Sequence, residues 1–110
     1  MHTIRLRGPW EIEQPEDPLG TARCVRHFNK PTGLESGERV WLVIEALAST
    51  ATISLNGAIV GQASRMSPAR FDITPQLIAR NRIEIELASP TGADPRVSLG
   101  EVRLEIEPPE

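Results

Sequence analysis

Ala51-Thr52-Ile53-Ser54-Leu55-Asn56-Gly57-Ala58-Ile59-Val60 decides the fold. Apolar side chains at 51, 53 and 55 alternate with hydroxyls at 52 and 54, the period of a strand that buries one face and wets the other. Asn56-Gly57 then supplies the residue pair that best tolerates positive φ at both central positions of a two-residue hairpin turn. Ala58 to Val60 is the returning strand. The same alternation extends outward in both directions, in Ile4/Leu6, Trp10/Ile12, Phe71/Ile73, Ile83/Ile85/Leu87 and Val102/Leu104/Ile106.

On the last two of these runs the wet faces read Glu84 and Glu86, then Glu101, Arg103, Glu105 and Glu107, a pattern suited to solvent or to blunting a sheet edge. Residues 40 to 44, Val-Trp-Leu-Val-Ile, are apolar on both faces, so Trp41 and Val43 should meet something besides the main core. Thr74-Pro75 reads as a cap followed by proline at the first helical position, which predicts one short helical turn near 75–80, over Gln76 to Arg80. Gly8-Pro9, Pro15 to Gly20, Pro31 to Gly37 and Ser89 to Pro95 read as loops. About eight short strands punctuated this way predict an all-β sandwich over residues 1–110 as a single domain, with no internal repeat.

The 110 residues suffice for one core, and 39% apolar with 25% charged side chains is globular composition. A net charge of −3 with both signs scattered argues against nucleic acid or an anionic membrane surface as a partner. Cys24 is the sole cysteine, which excludes an intramolecular disulfide and a cysteine-based metal site. No stretch approaches the roughly 20 apolar residues of a membrane helix. The N-terminal residues lack the apolar run of a secretion signal, so a cytoplasmic address is the default expectation.

The search for chemistry finds no phosphate-cradling glycine loop, paired-histidine metal motif or nucleophile elbow, and no cofactor is implied. Cys24 and His27 have the types of a nucleophile and a base, but odd spacing on a strand sends them to opposite faces. The strand carboxylates lie on open faces rather than in a pocket that could raise the pKa of a general acid. Catalytic residues are therefore expected to be none. Sugar rings stack on aromatic residues, and with no tyrosine and both phenylalanines in core patterns, Trp10 and Trp41 are the platforms to consider.

Read in order, several segments resemble the N-terminal sugar-binding domain of family 2 glycoside hydrolases, including bacterial β-galactosidases. Arg26-His-Phe-Asn-Lys-Pro31 is similar to the Arg-x-Phe-x-x-Pro segment that closes an early strand. Glu38 to Glu45, Ala51 to Gly57 and Val60-Gly61 follow the family's two strands, Leu-Asn-Gly hairpin and return. Ser64 to Thr74 resembles the loop and strand ending in Phe-Asp-Ile-Thr, and Asn81 to Ile85 with Gly100 to Leu104 complete the order. The resemblance implies a jelly-roll β-sandwich of the galactose-binding-like kind, a topology that alternation alone does not separate from an immunoglobulin-like sandwich. It also implies that the catalytic carboxylates belong to a separate barrel domain. The loop between Ala88 and Gly100 is shorter here than the insertion by which β-galactosidases reach toward their active site, and Asp94 is its one acidic residue.

Two functions follow as expectations. The first is a stand-alone, non-catalytic carbohydrate-binding-like module, with Trp41, Arg26, His27 and Asn56 as candidate contacts because of their chemistry and their position off the main core face. The second is a structural or protein-interaction module, with a protein partner or self-association through an apolar sheet face around Trp41 and Val43.

Overall fold

A computed structural model describes residues 2–13, 21–88 and 94–109; the loop readings at 15–20 and 89–93 lie outside the described residues. Nine strands are present among them: β1 (His2–Arg5), β2 (Glu11–Glu13), β3 (Ala22–Asn29), β4 (Arg39–Glu45), β5 (Ala51–Leu55), β6 (Ala58–Ala63), β7 (Ala69–Asp72), β8 (Arg80–Leu87) and β9 (Glu101–Glu107). They form two antiparallel sheets, ordered β1-β9-β4-β7 and β2-β3-β8-β5-β6. Only the β2/β3 and β5/β6 pairs are successive strands of one sheet, and every other connection crosses the sandwich. This is the jelly-roll, galactose-binding-like arrangement.

Register turns the alternating sequence into core layers. Cys24, Ile85, Ile53 and Gly61 lie side by side across β3, β8, β5 and β6. Ile4, Leu104, Leu42 and Phe71 do the same across β1, β9, β4 and β7. Cys24, Ile53, Ile85 and Leu42 are wholly buried, and the three aliphatic side chains each contribute roughly 1.5–3 kcal/mol by leaving water. The two layers meet along one side of the sandwich, where Phe71 covers Gly61. A Cβ at residue 61 would stand 2.5 Å from Cε1 of that ring.

The Asn56-Gly57 turn forms as expected, with φ of 53° and 85°. A bulge follows it, the β5–β6 register shifting between Ile53 and Ser54. The short helical turn sits earlier than 76–80, as a 3₁₀ turn over Thr74–Gln76 with Ile73 at its N-cap and no side-chain cap. Thr74 is drawn away from capping by other bonds. Its hydroxyl accepts from the Val40 amide at 2.8 Å and donates to Asp72 Oδ1 at 2.7 Å. The turn does not propagate because the Asn81 side chain takes both the amide and the carbonyl of Ile78, each at 2.9 Å. A second 3₁₀ turn, Pro95–Leu99, falls where the sequence reading begins to leave the Ser89–Pro95 loop, and the Asp94 carboxylate accepts from the Arg96 amide to start it.

Trp41 and Val43 are covered by charged neighbours rather than left as an apolar patch. Val43 is only 6% exposed and pairs with Arg70 on one side and Arg103 on the other. The Arg70 guanidinium lies 3.8 Å from the Trp41 ring centroid, and the indole Nε1 donates to Glu107 at 2.7 Å. Arginines thus supply the cover that the sequence pattern demanded, the Arg70 head lying on the indole and the Arg103 head held among Glu45, Glu101 and Glu105. The opposite outer face is built alike, Arg23 and Arg82 pairing with Glu13, Glu84 and Glu86.

Candidate binding cleft at the sheet crossover

The chain leaves β1 in one sheet and enters β2 in the other through a strap, Leu6 to Trp10. Leu6 closes the β1–β9 pairing by donating its amide to the Val102 carbonyl at 2.9 Å. Past that point the strap cannot continue a sheet, because Pro9 has no amide to donate to a ladder. Its carbonyls are taken up by side chains instead. Trp10 Nε1 donates to Leu6 O at 3.1 Å, Arg26 Nε to Arg7 O at 2.7 Å and Arg96 Nη1 to Trp10 O at 3.3 Å. Three donors from β3, the Pro95–Leu99 turn and the strap itself therefore fix an otherwise irregular segment.

Between the strap and the Pro95–Leu99 turn lies a cleft of about 530 Å³, walled by Arg5, Arg7, Trp10, Arg96, Gly100 and Glu101 among others. Its far wall is held by two devices. Asp94 grips the Arg96 guanidinium by a fork, with Nε to Oδ1 and Nη2 to Oδ2 both at 2.9 Å, and this arginine holds the Asp94 carboxyl below its usual range. Gly100, at φ 63°, turns the chain into β9 where a Cβ would lie 2.7 Å from the Glu45 carbonyl oxygen. Only glycine fits there.

Charge in the cleft runs against that of the chain. Arg5, Arg7 and Arg96 line it with Glu101 as the acidic member, whereas the whole sequence carries −3. Arg5 Nε pairs with Glu101 Oε1 at 2.9 Å, while Glu101 Oε2 accepts from Arg103 at 3.1 Å. The hydrogen bond from Arg5, with the charge of Arg103 behind it, lowers the Glu101 pKa. Arg96 is committed to Asp94 and Trp10. Arg7 is exposed, and its guanidinium has no hydrogen-bond or ion-pair partner among the described residues.

The four contacts suggested by sequence are not brought into one site. Arg26 and His27 share a smaller hollow of about 320 Å³ that also touches the end of β1 at Arg5 and the strap at Leu6. Arg26 spends its donors on the Arg7 and His27 carbonyls, while His27 is exposed. Asn56 is a structural turn residue: its Oδ1 accepts from the Arg82 amide at 2.9 Å and its Nδ2 donates to Gln76 O and Asn81 Oδ1, both at 3.1 Å. Trp41 stands on the outer face of the other sheet beneath Arg70. Trp10, the other platform considered, is 6% exposed, and Trp41 is half-buried with Arg70 over its ring. The arginines of the cleft went unnoticed in sequence because Arg5 and Arg7 look like the wet side of one alternating strand. The break at Gly8-Pro9 was the signal that the strand ends between them and something else begins.

A family model described as the glycosyl hydrolase 2 galactose-binding domain-like domain matches residues 22–99. The chain belongs to that family. Its relation to the sugar-binding domain of family 2 glycoside hydrolases, expected from the order of its motifs, is thereby established. Among solved structures, an FMN-binding β-glucuronidase from Facaelibacterium prausnitzii L2-6 superposes with a TM-score of 0.78 at 23% identity, over 98% of this chain and 22% of that one. A β-glucuronidase from an uncultured Clostridium sp. gives 0.78 at 15% identity, over 97% and 29%. A β-D-mannosidase from Dictyoglomus thermophilum gives 0.74 at 16% identity, over 96% and 22%. These likenesses concern the fold, and the galactose-binding-like chain spans under a third of each enzyme. No curated protein matched its sequence.

Proposed function

We propose that this chain is a non-catalytic, carbohydrate-binding-like module, residues 1–110 acting as one domain, and that its ligand lies in the crossover cleft. The observation that carries this reading is the cleft itself: a concavity of about 530 Å³ with a held frame and several convergent polar groups, on a domain of the galactose-binding-like family. Fixing the strap through Trp10, Arg26 and Arg96 supports it, because a site prepared before binding loses less entropy on capture. The non-catalytic part rests on the state of the carboxylates. Glu84, Glu86, Glu101 and Glu105 are each ion-paired with arginine. Of these only Glu101 lines the cleft, and the bond from Arg5 lowers its pKa, which suits it poorly to act as a proton donor near neutral pH.

Amide chemical shifts of the labelled chain, followed during titration with neutral and acidic monosaccharides to tens of millimolar, test the proposal. Saturable shifts at Arg5 to Trp10 and at Arg96 to Glu101 are expected. A flat response to every sugar would sink it.

A protein-interaction role draws on a different observation: Val97, on the outer side of the Pro95–Leu99 turn beside the cleft, is 75% exposed. The face around Trp41 offers less for it, since Arg70 and the neighbouring carboxylates cover the apolar atoms. Light scattering across a hundredfold concentration range, with Val97→Ser beside the wild type, separates the two. Self-association abolished by Val97→Ser would favour this second role, and a monomer throughout would favour the first.

A further inference from the structure

We infer that the crossover cleft selects a saccharide bearing an anionic group, a carboxylate or a sulfate ester, and that Arg7 is the cation that receives it. The inference deepens the carbohydrate reading and rests on it. Stacking, the usual source of affinity for a neutral sugar ring, is scarcely available: Trp10 is 6% exposed at the cleft, and the Trp41 ring is occupied by Arg70. Recognition must then come from polar and charged groups. Three arginines and one glutamate line the cleft, and the arginines are not equivalent. Arg96 is spent on Asp94 and the Trp10 carbonyl, and Arg5 is paired with Glu101. Among the described residues Arg7 alone of the three has no partner for its guanidinium, and its backbone is held by the bond from Arg26 to its carbonyl. A planar guanidinium of this kind meets two oxygens of a carboxylate or sulfate at once, a charge-assisted arrangement about twice as strong as neutral hydrogen bonds. Arg5 beside Glu101 leaves donors and acceptors of both kinds for ring hydroxyls. Because the chain as a whole is acidic, a positive cleft on it is a local feature and does not follow from general basicity.

Dissociation constants for D-glucuronic acid, D-glucose 6-sulfate and D-glucose, measured by NMR titration at low salt, test the inference. Acetate and inorganic sulfate serve as the arms that isolate the anion from the sugar. At least one acidic sugar is expected to bind about tenfold more tightly than glucose and more tightly than its bare anion, with shifts centred on residues 5–10 and 96–101. Arg7→Ala should abolish that preference and Arg7→Lys should keep part of it. Both variants should retain the wild-type denaturation midpoint, since the Arg7 side chain has no hydrogen-bond or ion-pair partner among the described residues and the backbone carbonyl that Arg26 holds is kept. Raising salt to 0.3 M should shrink the preference in the wild type. Glucose binding as tightly as both acidic sugars in this cleft would overturn the inference while leaving the carbohydrate reading intact. Bare anions binding as well as the sugars would overturn its saccharide part, and an unchanged preference in Arg7→Ala would remove Arg7 from the role. Silence toward all three sugars would end both readings together.

Discussion

Asn81 shows how one side chain can decide a local structure without any apolar contribution. It is wholly buried, and its amide group exchanges bonds with the Ile78 backbone while accepting from Asn56 and reaching the Phe28 carbonyl at 3.4 Å. Removing it takes partners from the part-buried Ile78 amide and carbonyl and from the buried Phe28 carbonyl, and an unsatisfied buried group costs roughly 1–3 kcal/mol. Asn81→Ala should therefore lower unfolding free energy by about 2–4 kcal/mol in urea denaturation, more than Asn56→Ala, whose site opens to water. Gly100→Ala should also be costly, by roughly 1–3 kcal/mol, because both the positive φ and the 2.7 Å approach to the Glu45 carbonyl oppose a side chain. Sequence announced Asn56 through its neighbour Gly57, but nothing adjacent to Asn81 in the chain marks it. Its partners Phe28, on β3, and Asn56, in the turn after β5, are distant in the chain, and only the β3–β8–β5 register places them together.

At the level of elements, period-two alternation located most strands because one face of each packs on the core and the other meets water. Ile83, Ile85 and Leu87 or Val102, Leu104 and Ile106 could be read at sight for this reason. The edge strand β2 is three residues long and was visible only as Trp10/Ile12, too short for a pattern to carry much. The helical turns were harder. Thr74-Pro75 has the composition of a cap and first turn, yet the threonine hydroxyl is worth more where it joins β7 to β4 through Asp72 and the Val40 amide. That junction has a consequence for acid stability. Burial opposes ionisation of Asp72, but the hydroxyl and amide of Thr74 together with Arg39 outweigh it and hold its pKa below the usual value. A carboxylate depressed in the fold contributes stability that is present above its unfolded pKa of about 4 and is lost as pH falls through the lower folded value. Asp94 and Glu101 shift in the same direction. The urea midpoint should hold steady from pH 7 to about pH 5 and fall below about pH 4, and Asp72→Asn should flatten part of that fall.

For the whole molecule, both outer faces of the sandwich are ion-paired lattices, and the proposed cleft lies where the chain crosses from β1 to β2. Trp41 could be weighed as a platform from residue type alone, whereas Arg70, which lies over its ring, arrives from β7 about thirty residues later. Trp41→Ala should cost about 0.5–1.5 kcal/mol through loss of the arginine contact and the bond to Glu107, and it should leave sugar titrations at the cleft unchanged. The side of the sandwich closed by Phe71 on Gly61 is a packing seam, so Gly61→Ala should destabilise by roughly 1–3 kcal/mol, read from thermal unfolding, without touching binding. What sequence could not supply was the meeting of Arg5, Arg7 and Trp10 with Arg96, Gly100 and Glu101, segments some ninety residues apart in the chain that β1–β9 pairing brings side by side. The most direct test of this arrangement is a crystal structure of the chain soaked with glucuronic acid. Sugar density in the cleft between the Leu6–Trp10 strap and the Pro95–Leu99 turn, with its carboxylate on Arg7, is the predicted result. An empty cleft with the sugar ordered on the Trp41 face would contradict the account.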